Sequence, residues 1–180
     1  MTPLDDDRLR DVFDIVEKMI EDRWQVPVRI NDVPNPFTGD LDGAEIMVDY
    51  DLTIEDALFI LVHLFGHTVQ WNVSADARDI AFAQPGGHWT EAQLARIAAY
   101  EEEACGYSLQ LLHEAGVRDL DQWISNFAAC DSRYLMHFYK TGEKLPFRTF
   151  WRDDAPLVPP RPIPEFQPTR WLVRSQGVVV

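Results

Sequence analysis

The sequence predicts an α+β fold, mainly helical, with a small sheet packed on one central helix and an extended Pro-rich C-terminal tail. Three observations predict it. Apolar residues recur at helical spacing in long stretches bounded by caps and glycine stops, and two short strand-like runs precede the most apolar of these stretches. From Leu145 onward the periodicity dissolves into prolines. The expected organisation is therefore a domain over residues 1–144 and a Pro-rich extension over 145–180 that packs on it.

Thr2 and Pro3 read as the cap and first turn of helix one, with Asp5, Asp6 and Asp7 at the end of the dipole that favours acids. Leu9, Val12, Phe13, Val16 and Ile20 give that helix one apolar face to about Arg23, and Pro27 breaks it. Val28 to Ile30 is a short strand, and the following NDVPNPFTGDLDG is turn chemistry from end to end. Ala44 to Val48 is a second strand. Thr53 caps the central helix, which runs to about Trp71. A polar, irregular segment follows, with Gln84-Pro85-Gly86-Gly87-His88 as a loop able to lie over a site. Thr90 caps a long helix from Glu91 to Glu114 that stops at Gly116. The last helix covers about Asp121 to Lys140, with Trp123, Ile124, Phe127, Tyr134, Leu135 and Phe138 as its apolar stripe. Six prolines from Pro156 to Pro168 then describe an extended tail, which Trp151, Phe166 and Trp171 hold against the domain.

Composition limits the functions available. A 180-residue chain with 46% hydrophobic residues can bury a real core. Its formal net charge of -14 offers phosphates no attractive field, which argues against nucleic acid bound by direct phosphate contact. No apolar run approaches the roughly 18 residues of a membrane span. The first residues, MTPLDDDRLR, lack the basic start and apolar core of a secretory signal, and Cys105 and Cys130 are too isolated for a disulfide framework. A cytoplasmic location is the expectation.

The central helix carries the chemistry. From Ala57 to Phe65 it is apolar on every side except at His63, so neighbours must bury it all round. His63 and His67 stand one turn apart on one face, the spacing with which the helix motif H-E-x-x-H presents two imidazoles to one metal ion. Here the motif reads His63-Leu64-Phe65-Gly66-His67, with leucine in place of the general base. Two hydrogen-bonded core histidines are the plainer alternative, but two buried imidazoles then need two sets of partners. His113 and His137 have no partner at ligand spacing, whereas His88, on a loop, can supply an extra ligand or a proton.

A third ligand is available in Tyr100-Glu101-Glu102-Glu103. A helical wheel puts Leu94, Ile97, Ala98, Cys105, Ser108 and Leu112 on the side of Glu101, and Arg96, Gln110 and Glu114 on that of Glu103. Glu102 lies between, near Leu109 and His113. A buried carboxylate needs a compensating cation, which makes Glu101 the first choice and Glu102 the second.

The order strand, IMVDYDLTIEDALFILVHLFGH, gap, YEEEACGYSLQLL resembles the ImmA/IrrE family of zincin-like metallopeptidases over about residues 28–116. Gly66 matches the family glycine, and Glu101, Glu103, Ala104, Tyr107, Leu111 and Leu112 follow its second motif. The resemblance implies a zincin-like fold and a zinc site on His63, His67 and Glu101, since the ligand glutamate stands four residues before the Asp or Asn of that motif. Two positions depart. Leu64 replaces the base, and Cys105 stands where the family has Asp or Asn.

Zinc on two histidines and a glutamate keeps an open position, and Fe(II) is the alternative because the same triad serves non-haem oxygenases. Without the base, ordinary peptide hydrolysis loses about 10²–10⁴-fold. The expectation is thus a metal-dependent enzyme of other chemistry, acting on a small-molecule or peptide substrate, with Glu102, Tyr100 or His88 handling protons. A catalytically inactive binding or regulatory protein is the alternative.

Overall fold

The computed structural model describes residues 5–34, 37–83 and 88–172. Among them the order is α1 (Asp6–Trp24), β1 (Val28–Asn31), β2 (Gly39–Leu41), β3 (Ile46–Asp49), α2 (Ile54–Val73), α3 (Ala75–Ala81), α4 (Glu91–Glu114) and α5 (Asp121–Thr141), then a 3₁₀ turn over Phe147–Phe150. The class is α+β. Thr2 and Pro3 lie outside the described residues; the cap of α1 is Asp5, whose carboxylate accepts the Asp7 N–H at 3.2 Å. Gln25 ends that helix in the left-handed region, at φ 57°, with its side-chain amide donating back to the Glu21 and Asp22 carbonyls.

The sheet is three-stranded, in the order β1-β3-β2. β3 runs parallel to β1, with Val28 opposite Ile46, and antiparallel to β2, with Gly39 opposite Val48. β2 lies inside the stretch expected to be all turn. Its three residues are Gly, Asp and Leu, and only pairing with β3 makes them a strand. α3 likewise falls in the segment expected to be irregular. Ser74 caps it, accepting the Ala77 N–H at 3.1 Å.

α2 is the hub, touching α1, α3, α4, β2 and β3. Every residue from Leu61 to Trp71 on it is buried. Its Ile60–Leu64 edge meets β2, where a Cβ on Gly39 would come within 2.7 Å of both side chains. Phe65 packs on Trp24 of α1, with ring centroids 4.8 Å apart. Toward α4 the approach is closer still: a Cβ on Gly66 would overlap the Ala104 carbonyl, and Ser108 Oγ donates across to the Val62 carbonyl at 2.8 Å. Glycine at 66 thus lets α4 come near enough for its side chains to meet those of α2. Gly66→Ala is expected to lower stability by about 1–3 kcal/mol, as overpacking does, read as a lower urea midpoint at unchanged slope.

α4 begins on the capping box of Thr90 and Gln93 and ends at Gly116, φ 80°, where the Val117 N–H returns to the Leu112 carbonyl at 2.9 Å. The stretch from Trp151 to Leu172 holds no helix or strand. Its backbone is fastened by the Val158 N–H to Ser125 Oγ, the Arg161 N–H to the Gly106 carbonyl and the Thr169 N–H to Asn72 Oδ1. Phe166 and Trp151 pack against the main core, and Arg170 reaches the buried Asp42 carboxylate at 2.7 Å. No helix among the described residues is long and apolar enough to cross a membrane.

Candidate metal centre

Successive turns of α2 aim His63 and His67 at one point, and α4 brings Glu101 to it. His63 Nε2 and His67 Nε2 are 3.0 Å apart, and Glu101 Oε2 lies 3.5 Å from the first and 3.2 Å from the second. All three residues are buried, and their ligand atoms lie within 4.8 Å of one another. The group could hold a metal ion.

The tautomer of His67 follows from its neighbours. Gln70 Nε2 donates to the Tyr100 carbonyl and to Glu103 Oε2, both at 2.8 Å, so Gln70 Oε1 faces His67 Nδ1 at 2.9 Å as an acceptor. Nδ1 therefore carries a hydrogen, and Nε2 faces His63 and Glu101. On His63, Nδ1 faces Cys105 Sγ at 3.9 Å, again leaving Nε2 toward the centre. Cys105 thus lies beside the His63 ring. Two imidazole Nε2 atoms and a carboxylate oxygen at these distances need a shared hydrogen or a cation among them. Glu101 Oε2 has no directed hydrogen bond of its own.

Burial, helped by the neighbouring His67, pushes His63 down to about 3, so its ring is neutral near pH 7. Burial pushes the Glu101 carboxyl up, but His67 and His63 together outweigh it and leave the group below its usual range. Glu101 is an anion in an enclosed place.

Sequence reasoning missed Asp131. From α5 it brings Oδ2 to 3.9 Å from His63 Nε2, with a side chain only 16% exposed. Burial and the Glu101 carboxylate push its carboxyl well above the usual range. A signal for it existed, because Asp131 falls on the same side of α5 as Ile124, Phe127 and Leu135, and the wheel argument used for Glu101 applies to it unchanged. Gln70 was missed as well, since nothing in its sequence context marks an amide as the partner of a ligand ring.

Beside the centre lies a cavity of about 210 Å³, lined by His67, Trp71, Ile80, Ala81, Ala83, Trp89, Ile97, Tyr100, Glu101, Asp131, Leu135 and Tyr139. Tyr100 belongs to it: its ring stacks on His67 with centroids 4.6 Å apart, while its hydroxyl accepts the Trp71 indole N–H at 2.8 Å. Burial first, then Glu101 and Asp131, push the Tyr139 phenol up to about 12. Glu102 is exposed and lines a different groove of about 300 Å³, between α4, α5 and Pro156–Pro159. His88 is exposed and is not among the residues lining either space, and Gln84 to Gly87 of its loop lie outside the described residues. Of the residues expected to act, the structure thus brings Tyr100 to the histidines and does not bring Glu102 or His88 there.

Leu64 faces elsewhere. It is fully buried, in the core cluster under β2, with its Cδ1 against Gly39. Because Gln70 fixes the His67 ring, Gln70→Met is expected to weaken metal binding about 10–100-fold, the usual cost of losing such a partner, measured by competition with a chelating dye. Comparisons with family profiles, with curated proteins and with solved structures give no match to this chain.

Proposed function

We propose that the chain is a metal-dependent enzyme that binds one divalent transition-metal ion on His63, His67 and Glu101 and acts on a small molecule by chemistry other than ordinary peptide hydrolysis. One observation carries this reading. A buried glutamate oxygen without a directed hydrogen bond converges with the Nε2 atoms of two imidazoles whose Nδ1 atoms face partners of their own. Zinc suits two nitrogens and one carboxylate oxygen, and Fe(II) accepts the same set. Such an ion supplies Lewis-acid polarisation of a substrate oxygen.

The protein's own groups divide the remaining work. Asp131, within 3.9 Å of His63 and lining the cavity, is the carboxyl placed to take or return a proton. Tyr139, which also lines the cavity, presents a hydroxyl, and Trp71, Trp89 and Tyr100 give it aromatic walls. A cavity of about 210 Å³ suits a small molecule better than an extended peptide. The ImmA/IrrE resemblance enters the proposal as a zincin-like frame; its support is the order of His63, His67 and Glu101 along α2 and α4. In this frame the carboxyl that handles protons stands on α5 instead of on the motif helix.

The test is metal analysis of protein purified without added ions, repeated on His63→Ala. Near one equivalent of metal, lost in the variant, is the expected result. A metal-free protein that takes up neither Zn(II) nor Fe(II), with a fold indifferent to the substitution, would leave a binding or regulatory protein in place of an enzyme.

A further inference from the structure

We infer that Arg161, on the Pro-rich segment, is a positioning residue for the metal site. It acts on the His67 ring through Glu103 and Gln70, and so couples the seating of that segment to the hold on the ion. The inference rests on the metal reading and extends it to what tunes the site.

The line of contacts starts on a bare patch of α4. Gly106 has no side chain, and the Arg161 stem lies over it. A Cβ at Gly106 would come within 2.9 Å of Arg161 Cγ and 3.1 Å of the Pro159 carbonyl oxygen. The Arg161 N–H donates to the Gly106 carbonyl at 3.0 Å, which fixes the backbone of the segment at the same spot. Seated there, the guanidinium reaches back about one turn of α4 and donates to Glu103 Oε1 at 3.2 Å. The other oxygen of Glu103 accepts from Gln70 Nε2 at 2.8 Å, and Gln70 Oε1 faces His67 Nδ1 at 2.9 Å. Three side chains thus join the Pro-rich segment to a ring of the centre.

The order of donors and acceptors gives this line one sense. The Tyr100 carbonyl and Glu103 both accept, so the Gln70 amide nitrogen must face them and its oxygen must face the ring. Turned round, the amide would set its oxygen against two oxygens and its NH₂ against Nδ1. The ring would then carry its hydrogen on Nε2, the atom that faces His63 and Glu101. Arg161 opposes that turn by keeping Glu103 in place: the Glu103 side chain is 32% exposed, and without the guanidinium its carboxyl can swing to water. The hydrogen bond at Nδ1 also strengthens when Nε2 donates to a cation, so the line is worth more with an ion bound than without one.

The experiment measures the Zn(II) affinity of the full chain by competition with a chelating dye, in a cycle of Arg161→Met, Gln70→Met and the double variant. Methionine keeps the stem over Gly106 and removes the donors. Alone, Arg161→Met is expected to weaken Zn(II) binding about two- to fivefold, the range of a half-exposed ion pair, with a urea midpoint close to the parent's. On the Gln70→Met background it should change affinity by no more than about 1.5-fold, because the route to the ring is already cut. Coupling is reciprocal, so Zn(II) should slow hydrogen exchange at the Arg161 amide by a similar factor. Should Gln70→Met fail to fold, Glu103→Leu takes its place in the cycle, since it cuts the same route. Equal losses on both backgrounds, an Arg161→Met protein that binds Zn(II) as tightly as the parent, or Arg161 exchange indifferent to Zn(II) overturns the inference and leaves the metal reading standing. A parent that takes up no Zn(II) overturns both.

Discussion

Leu64→Glu is expected to destabilise the protein by roughly 3–5 kcal/mol, the cost of an unpaired buried charge, and to confer no peptide hydrolysis. The substitution restores the residue that the motif H-E-x-x-H carries, so a conventional peptidase frame predicts a gain of activity. The packing predicts the opposite. Leu64 has no exposed surface and sits in the core under β2, against Gly39 and beside Ile60. The cavity that reaches His67 is lined from α2, α3, α4 and α5 and does not include position 64. A carboxylate there meets apolar side chains and the strand instead of a substrate. Since a domain of this size has only about 5–15 kcal/mol in total, the loss is large enough to see as a collapse of the urea midpoint. A variant that stays as stable as the parent and cleaves a peptide would show that the catalytic face is the sheet side of α2.

This result bears on what could be read from the chain before its structure. α2 and α4 were legible almost to the residue, because Thr53 and Thr90 are strong caps and both helices carry long periodic stretches. The approach of Glu101 to the His63–His67 pair was legible too, since a wheel converts composition into direction. β2 was not, as Gly39, Asp40 and Leu41 have no strand propensity and exist as a strand only through β3. The first cap was misplaced by one turn because Thr2-Pro3 and Asp5 offer competing caps in the same acidic run. Asp131 was overlooked although it obeys the rule that found Glu101. The apolar stripe of α5 was read as core alone, and an acid inside it drew no question. Glu102 was chosen for its place on the wheel beside Glu101 and His88 for its loop, and neither ground says which helix faces the histidines across the cavity. That helix is α5, brought in by packing on α4.

Glu101→Gln is expected to move stability in opposite directions according to whether the ion is present. In the metal-free protein the glutamate is a buried anion whose Oε2 accepts no directed hydrogen bond. The amide keeps the volume, removes the charge and can donate to Nε2 of His63 or His67, so the metal-free fold should gain about 1–3 kcal/mol, the penalty of an unsatisfied buried group. In the presence of Zn(II) the variant should lose more than it gains. A carboxylate ligand is removed, and affinity falls by more than the roughly 10–100-fold that an outer partner is worth. The metal-linked stabilisation, about 2.7 kcal/mol at a hundredfold excess over Kd, then disappears. If instead Glu101 served only as the counter-ion of a protonated His67, the same substitution would leave a buried cation unpaired and cost roughly 3–5 kcal/mol with or without metal. Thermal melts of both proteins, each with Zn(II) and with a chelator, therefore separate the readings by sign. A variant whose melting temperature rises in chelator and no longer responds to Zn(II) places the ion on Glu101. One that falls equally in both conditions makes the triad an internal ion pair, since only a missing charge partner costs stability without regard to the metal.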